Sequence, residues 1–407
     1  MEAVVSEPCD SLSQDAAQPV GPDRRVAAID VLRGVALFGV LSVNLITVFR
    51  VSIFQQFLPP IMEGSRLDHV VDWIVGIGME LKAFALFSLL FGIGLAIQFE
   101  RLAAKAQRLT LLVRRLLVLL GIGIVHLCFV WNGDILTHYA LVGLVVLPFL
   151  YASNRVLIVA CVVALLVYAA IPIWFPDLFY WPDQAGLRQH VQLATSIYAN
   201  GTWSEVVRFN ISEIPLIVTL LLYVTPRTFA LFLLGALAWR TGLLRNPERH
   251  RRLLIGTAVV GLILGLSMTL LDVPDGGSYS RALAPVVSAL LTLSSVVLAI
   301  GYAATCIALY TFTRASRVLG LLGPLGRMAF SNYLVQSLIF GWIFFGYGLG
   351  LFGRLSSSQA MLLGIVVYVS QVIASHWWLS RFRFGPMEWL WRTLMYGVRQ
   401  PWRVNRP

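Results

Sequence analysis

Long apolar runs separated by short polar connections make up most of this chain. The apolar runs are continuous rather than alternating with a period of two, so they predict helices and not strands. A helix needs roughly 20 residues to cross a hydrocarbon core about 30 Å thick. About ten stretches meet that length, at residues 30–49, 72–98, 112–131, 137–153, 155–175, 211–239, 253–271, 284–311, 325–346 and 360–379.

This pattern predicts an all-α fold, a polytopic helical bundle embedded in a membrane with about ten transmembrane helices. The composition agrees, because 58% of the residues are hydrophobic and only 13% are charged, against about 25% charged in soluble domains. The sixth stretch contains Pro226 and Arg227. It is therefore either one kinked helix or a re-entrant pair, and a single crossing gives the more consistent distribution of charge.

The positive charges predict the orientation of the bundle. If the amino terminus is cytoplasmic, 21 of the 31 lysines and arginines fall on cytoplasmic segments and only six on the opposite side. Cytoplasmic loops carry such an excess, so both termini are predicted to be cytoplasmic. The same bias explains the net charge of +11, and no nucleic-acid partner is expected.

The two ends of the chain differ from the apolar middle. Residues 1–23 contain acidic residues but no lysine, arginine or apolar core, so they predict a disordered cytoplasmic tail rather than a signal peptide. Residues 24–380 form the predicted transmembrane domain. Residues 381–407 mix aromatic residues with arginines, which is typical of a segment lying in the cytoplasmic interface. The four cysteines form no Cys-x-x-Cys pair, and no metal site is predicted.

A histidine and a carboxylate are predicted to meet at one hairpin. The third span carries His126 about 7.5 Å before Trp131 at its outer end, and a tight turn then leads through Asp134 to His138 and Tyr139. A carboxylate beside a histidine fixes its tautomer and raises its basicity, as general-base catalysis requires. The alternative is structural, with His126 bonding a neighbouring helix and Asp134 capping the fourth span.

Other polar residues in the spans also need a partner, because such groups are costly in lipid. Arg33 at the start of the first span is either a phosphate ligand or an anchor at the interface, and Asn44 further along is either a ligand or an interhelical hydrogen bond. Lys82 in the second span must face a cavity or a carboxylate. Asn332, Tyr333 and Gln336 in the ninth span line a cavity or form a structural hydrogen-bond seam.

Several motifs together resemble the YeiB-like family of bacterial membrane proteins, which has no assigned function. Asp30-Val-Leu-Arg33-Gly34, the run from Phe87 to Gly94, and Gly133-Asp134-Ile135-Leu136 carry the early part of the resemblance. It is strongest at the carboxyl end, in Ser331-Asn332-Tyr333-Leu334 and in the run from Phe384 to Arg392. The resemblance covers roughly residues 24–400.

The early helices of that family look similar to a wider set of transmembrane acyltransferases, which includes heparan glucosaminide N-acetyltransferase. The resemblance implies a protein of the bacterial cytoplasmic membrane, in contact with membrane lipid. Such a protein would move an acyl group from cytoplasmic acyl-CoA to a small or lipid-linked acceptor at the outer face. His126 and Asp134 would be catalytic. Arg33, Arg114, Arg115 and Arg327 would bind the donor's phosphates. Substrate contacts would come from Asn44, Lys82, Tyr139, Asn332, Tyr333 and Gln336.

Two other functions remain open at this point. A transporter or lipid flippase would use Lys82, Glu80 and His126 as a proton relay, although the sequence shows no inverted repeat that would favour it. A structural or assembly role has no specific motif in its favour. The acyl group, the acceptor and the oligomeric state, including a homo-oligomer, are also left open by the sequence.

Overall fold

The computed structural model describes residues 26–59, 64–175, 183–271 and 283–404. Throughout these ranges the regular structure is helical, apart from one isolated bridge between Phe382 and Arg403. The predicted tail at residues 1–23 lies outside the described residues. The α-helices are α1 Ala27–Asn44, α2 Arg66–Gly78, α3 Lys82–Arg101, α4 Arg108–Phe129, α5 Leu136–Val146, α6 Asn154–Trp174, α7 Gln184–Asn200, α8 Trp203–Arg240, α9 Arg251–Thr269, α10 Ala284–Phe312, α11 Ser316–Leu319, α12 Gly323–Arg327, α13 Ala329–Phe344, α14 Ser357–Leu379 and α15 Pro386–Tyr396.

The prediction of a polytopic helical membrane protein is confirmed at this level. Within the described ranges, eight helical segments are long and apolar enough to cross a membrane. They correspond to eight of the ten predicted spans. The fourth and ninth predicted spans are instead the shorter apolar helices Leu136–Tyr151 and Ala329–Phe344. Ten crossings and two cytoplasmic termini stay predictions.

Helix α1 lies at the centre of the bundle. Its most apolar window is 67% buried, whereas the windows of α6 and α9 are only 22% buried. It packs against α3, α10, α12, α13 and α14. The approach to α12 is especially close, since a Cβ on Gly326 would fall 1.8 Å from the carbonyl oxygen of Asp30. Small residues permit such contacts between membrane helices.

The second predicted span is broken rather than continuous. α2 ends at Gly78, α3 begins at Lys82, and Leu81 between them has a φ of 59°. The break exposes carbonyl groups that would otherwise be bonded within a helix. At the end of α2, Lys82 Nζ donates to the Gly76 carbonyl at 3.1 Å and the Tyr302 hydroxyl donates to the Gly78 carbonyl at 2.8 Å. Arg227 donates at 3.4 Å to the carbonyl of Leu81, which also accepts from the Ala85 amide of α3. Cations also suit the negative end of a helix dipole.

The sixth predicted span is one helix and not a re-entrant pair. α8 runs for 38 residues through Pro215 and Pro226, and it begins eight residues before the predicted boundary at 211. The sequence predicted only a loop over residues 176–210, but α7 lies within it. Both differences arise because the first turns of α8 and most of α7 are polar, so a search for apolar runs passes over them.

The aromatic and basic carboxyl-terminal segment packs onto the bundle. α15 lies against α4 and α13, and the Trp391 indole donates to the carbonyl of Arg115 at 2.8 Å while the Arg115 guanidinium lies 3.9 Å from its ring centre. Helix α15 therefore forms part of the wall around the interior between α1, α3, α4 and α13.

Candidate functional site

His126 and Asp134 are in direct contact in the interior. The imidazole Nδ1 lies 2.9 Å from Asp134 Oδ1, and the two residues are 2% and 1% exposed. A carboxylate can only accept, so Nδ1 carries the proton and Nε2 holds the basic lone pair of the neutral ring. Within the described residues, Nε2 is buried and has no hydrogen-bond partner. A buried polar atom left in this state is a candidate for contact with a ligand.

The local sequence explains how this pair is held. Asp134 also caps α5, because its Oδ2 accepts from the Thr137 amide at 2.7 Å. A Cβ on Gly123 would fall 2.6 Å from that same amide nitrogen, so the glycine lets α4 approach the start of α5. The indole of Trp131 is 1% exposed and stacks on Phe49 at 4.5 Å. The structural role considered for Asp134, capping α5, therefore coexists with its contact to His126, whereas among the described residues no hydrogen bond joins the His126 ring to a neighbouring helix.

A cavity of about 280 Å³ leads toward this pair, near the lower end of the range for small-molecule sites. On α3 its lining extends from Phe87 to Arg101, which is about 20 Å along the helix axis. One end is lined by charged residues and the other by apolar and aromatic ones. The apolar lining includes Val40, Phe87, Leu90, Phe91, Leu119, Ile135, Leu136, Tyr139 and Tyr333.

Six arginines line the charged end of the cavity. Three of them, Arg33, Arg115 and Arg327, are among the four predicted from the sequence to bind a donor. The fourth, Arg114, is not a lining residue, and its guanidinium approaches Gly397 instead. From the sequence, the remaining three were predicted only as positive charges on cytoplasmic segments. They are Arg101, Arg383 and Arg392.

Two tyrosines line the apolar end of the cavity, and one of them, Tyr333, contacts the His126 ring. The Tyr333 ring lines the cavity and its centre lies 5.4 Å from the centre of the His126 ring. Tyr139 also lines the cavity, and its hydroxyl donates to the carbonyl of Phe84 at 2.8 Å. His126 itself does not line the cavity, because the Tyr333 ring lies between His126 and the cavity.

The other predicted substrate residues do not line this cavity. Asn332 Nδ2 donates to Ser375 Oγ at 3.0 Å, and Gln336 Nε2 donates to Gln371 Oε1 at 2.8 Å. These bonds form a seam between α13 and α14, which is the structural alternative considered from the sequence. Lys82 caps the end of α2.

Asn44 ends α1 at the point where the helix becomes a π-helix, Leu45–Phe49. Its Oδ1 is buried and has no hydrogen-bond partner among the described residues. The π-helical turn brings Phe49 onto Trp131. Such turns often mark functional sites. Asn44 itself does not line the cavity.

Two carboxyl groups lie among the arginines at the cavity mouth. Asp30 pairs with Arg33 at 3.0 Å. Glu388 on α15 caps α13, because its Oε1 accepts from the amides of Phe330 and Ser331 at 2.9 and 3.1 Å. Burial raises the pKa of Glu388 despite these bonds, which favour its charged form. In the described ranges no three His, Cys, Asp or Glu side chains are grouped as metal ligands would be.

Comparison with known proteins gives relatives along almost the whole chain. YxaH of Bacillus subtilis (strain 168), an uncharacterised protein, is 34% identical over 407 residues, covering 94% of this chain and 97% of its own. YeiB of Escherichia coli (strain K12), also uncharacterised, is 28% identical, covering 93% of this chain and 98% of its own. The family model "Protein of unknown function (DUF418)" matches residues 238–398. No solved structure matches.

Proposed function

Since this chain belongs to the YeiB-like family of uncharacterised bacterial proteins, its relatives supply no activity, and we propose from the geometry of the site that it is a membrane acyltransferase. It transfers an acyl group from an acyl-CoA thioester to a hydroxyl or amine of a small or lipid-linked acceptor. One observation carries the proposal. A buried His–Asp pair with an unbonded Nε2 lies beyond the apolar end of a cavity whose other end is lined by arginines.

The two ends of the cavity suit the two ends of an acyl-CoA. Phosphate groups bind arginine through charge-assisted, often bidentate, hydrogen bonds. The apolar end, between Phe87, Phe91 and Leu119, suits the pantetheine arm and its acyl group. Arg115 and His126 are eleven residues apart on α4, which is about 16 Å along the helix. The donor's phosphates and its thioester would therefore occupy opposite ends of the site.

His126 Nε2 supports acyl transfer by either of two routes. As a base, it takes the proton of the acceptor hydroxyl or amine while the acceptor attacks the thioester carbonyl; the C–S bond breaks and CoA leaves as a thiolate that the imidazolium protonates. As a nucleophile, it attacks the same carbonyl itself, CoA leaves, and the acyl-imidazole then passes the acyl group to the acceptor. In both routes Asp134 holds the Nδ1 proton and stabilises the positive ring.

The finer features of the proposal rest on the sequence and the resemblance. The arginine-lined mouth is assigned to the cytoplasmic side of a bacterial cytoplasmic membrane by the distribution of positive charge. The acceptor is assigned to the outer side, where the His126 hairpin would lie. Both termini lie on the cytoplasmic side if the number of crossings is even, and ten crossings, counting the two short apolar helices, satisfy this.

The test is CoA release by the purified protein. Wild type and His126→Gln are incubated with labelled acetyl-CoA and candidate amino-sugar or lipid-linked acceptors, and free CoA and labelled product are measured. The matched control is His69→Gln, because His69 is exposed on α2. We expect release by wild type and the control but not by His126→Gln. Full activity of a folded His126→Gln protein would contradict the proposal.

A second candidate function has one observation in its favour. The break between α2 and α3 places Glu80, Lys82 and Arg227 inside the bundle at a helix interruption. Transporters often use broken membrane helices around their binding sites. Proton-coupled flux in proteoliposomes that is lost in Lys82→Met, together with no binding of acyl-CoA, would favour the transporter over the acyltransferase.

A further inference from the structure

A second buried carboxylate lies against the loop that carries Asp134. Glu213 on α8 is 2% exposed, and both of its oxygens are engaged. Oε1 lies 2.8 Å from His190 Nε2, and Oε2 accepts from Asn132 Nδ2 at 2.6 Å and from the Tyr198 hydroxyl at 2.7 Å. Asn132 is two residues before Asp134 in the chain. The network therefore ties the site's loop to α7 and α8.

The carboxylate of Glu213 can accept hydrogen bonds on both of its oxygens, and this network uses both. Burying a carboxylate in an apolar helix is costly unless it is fully hydrogen-bonded. A carboxamide has one accepting oxygen and a donating nitrogen, so it would not accept on both sides; if its oxygen faced Asn132 and Tyr198, His190 Nε2 would have to act as the acceptor. A carboxylate also fixes the direction of the Asn132 amide, whose nitrogen must face Glu213.

Three buried side chains hold the loop between α4 and α5 against the rest of the protein. Residues 131–135 are not helical, yet Trp131, Asn132 and Asp134 are each at most 2% exposed. Each of the three contacts a different part of the protein: Trp131 stacks on Phe49, Asp134 meets His126 and the start of α5, and Asn132 reaches α7 and α8. Loss of the Asn132 anchor would free one side of the loop without removing any group from the His–Asp pair.

We propose that Asn132 and Glu213 are positioning residues of this site. They fix the loop so that Asp134 keeps the proton on His126 Nδ1 and leaves Nε2 basic. Misplacement of a reacting group by about 1 Å can cost a hundredfold in rate, so an anchor outside the cavity can control the chemistry. The effect on His126 follows from the structure alone, while the effect on turnover rests on the proposed acyl transfer.

The first test reads the tautomer of His126 by NMR. Full-length protein is labelled with ¹⁵N-histidine, and the His126 signals are identified as those lost in His126→Gln. In the neutral ring, wild type should show a protonated Nδ1 and an unprotonated Nε2. Asn132→Leu, which is close in size and leaves Glu213 with two partners, should show mixed tautomers. An unchanged His126 spectrum in folded Asn132→Leu would overturn the proposal.

The control is a matched substitution in the same network. Asn210 is fully buried on α8 and its Oδ1 lies 2.9 Å from the Tyr198 hydroxyl, but among the described residues its side chain makes no hydrogen bond to the loop. Asn210→Leu should therefore leave the His126 spectrum as in wild type. A change as large as that in Asn132→Leu would mean that the whole network is merely structural, and would overturn the proposal.

A rescue experiment covers the case in which Asn132→Leu does not fold. Asn132→Asp places a second carboxylate beside Glu213, and the repulsion should displace the loop. In the double variant Asn132→Asp/Glu213→Gln, an amide at position 213 donates to a carboxylate at position 132, so the hydrogen bond is restored in the opposite direction. Recovery of the His126 spectrum in the double variant supports the proposal. A double variant no closer to wild type than Asn132→Asp contradicts it.

The kinetic readout separates this inference from the proposed function. We expect Asn132→Leu to lower kcat for acyl transfer about 10–100-fold, with little change in KM for the donor, because the arginines of the cavity mouth are untouched. A rise in KM with unchanged kcat would contradict a positioning role. If wild type transfers no acyl group but the His126 spectrum still depends on Asn132, the proposed function fails and the positioning inference stands.

Discussion

The ring nitrogens of His126 differ in their surroundings, and this difference is the main chemical feature of the molecule. Nδ1 bonds a buried carboxylate, and Nε2 has no partner among the described residues. The sequence predicted that His126 and Asp134 would cluster, because a short turn after α4 brings them to one hairpin. It could not predict which nitrogen would be engaged, since that depends on the loop conformation that Asn132 and Trp131 help to fix.

The polar residues of α13 show where reasoning at the residue scale fails. Asn332 and Gln336 share a helix face, and the sequence left their role open between a cavity lining and a structural seam. Their partners Ser375 and Gln371 lie on α14, at 43 and 35 residues' separation. Only the tertiary packing shows that these amides bond another helix, while Tyr333 between them faces the cavity.

Adjacent arginines on α4 provide a direct test of the cavity mouth. Arg115 lines the cavity and Arg114 does not. A charged hydrogen bond to phosphate contributes about 1.5–3 kcal/mol, so Arg115→Gln should weaken CoA binding about 10–100-fold, whereas Arg114→Gln should change it less than threefold. Equilibrium binding of labelled CoA to the purified protein measures both. Equal effects of the two substitutions would contradict the assignment of the mouth.

Glu388 is expected to make stability depend on pH. Because burial raises its pKa in the folded protein, its protonated form is favoured by folding. Its contribution is complete below the unfolded value of about 4.3 and is lost as pH rises through the folded pKa. The melting temperature of wild type should therefore fall relative to that of Glu388→Gln as pH rises from about 4.5. Parallel melting curves across that range would contradict this prediction; Glu248→Gln, at an exposed site, is the control.

At the scale of elements, interruptions of helices carry much of the architecture around the site. The α2–α3 break is capped by Lys82, Tyr302 and Arg227, and the π-helical end of α1 brings Phe49 onto Trp131. An apolar run in the sequence predicts that a span exists but not where its backbone is broken, because both sides of the break are equally apolar. For this reason the sequence predicted Lys82 inside a continuous helix.

The contact between α12 and α1 sets the width of the cavity mouth, which both helices line. A Cβ on Gly326 would meet the Asp30 carbonyl, whereas a Cβ on Gly323, one turn earlier, would meet nothing within 4 Å. Gly326→Ala should lower the free energy of unfolding by about 1–3 kcal/mol through overpacking, while Gly323→Ala should be neutral or slightly stabilising. The melting temperatures of both variants, measured in the same detergent, test this prediction. Equal melting temperatures would show that the two helices separate freely.

At the scale of the whole molecule, hydrophobic pattern alone predicted most of the membrane-spanning helices. Each of the ten predicted spans contains an apolar helix, although two are shorter than a full crossing. The long helix that was missed is α7, whose polar residues resemble a loop, while α15 lies in the segment predicted to be interfacial. The cavity could not be predicted, because residues from α1, α3, α4, α13 and α15 meet only in the folded bundle.

The predicted orientation is testable with single cysteines in a cysteine-free background. Thr313 follows α10 on a predicted cytoplasmic segment, and Ala185 lies in the first turn of α7 on the predicted outer side; both are exposed. In intact cells, a membrane-impermeant maleimide should label Ala185→Cys but not Thr313→Cys, and lysis should expose the second site. Labelling of Thr313→Cys alone in intact cells would reverse the orientation and place the arginines at the outer face.

The proposal that the cavity binds an acyl-CoA is tested by identifying the residues that contact the donor's acyl chain. Purified protein is cross-linked with an acyl-CoA that carries a photoreactive group on its acyl chain, with and without excess CoA, and the labelled residues are identified by mass spectrometry. We expect labelling within the apolar end of the cavity, at residues such as Leu119, Tyr139 or Tyr333, and we expect excess CoA to abolish it. Labelling confined to lipid-facing surfaces and unaffected by CoA would contradict it.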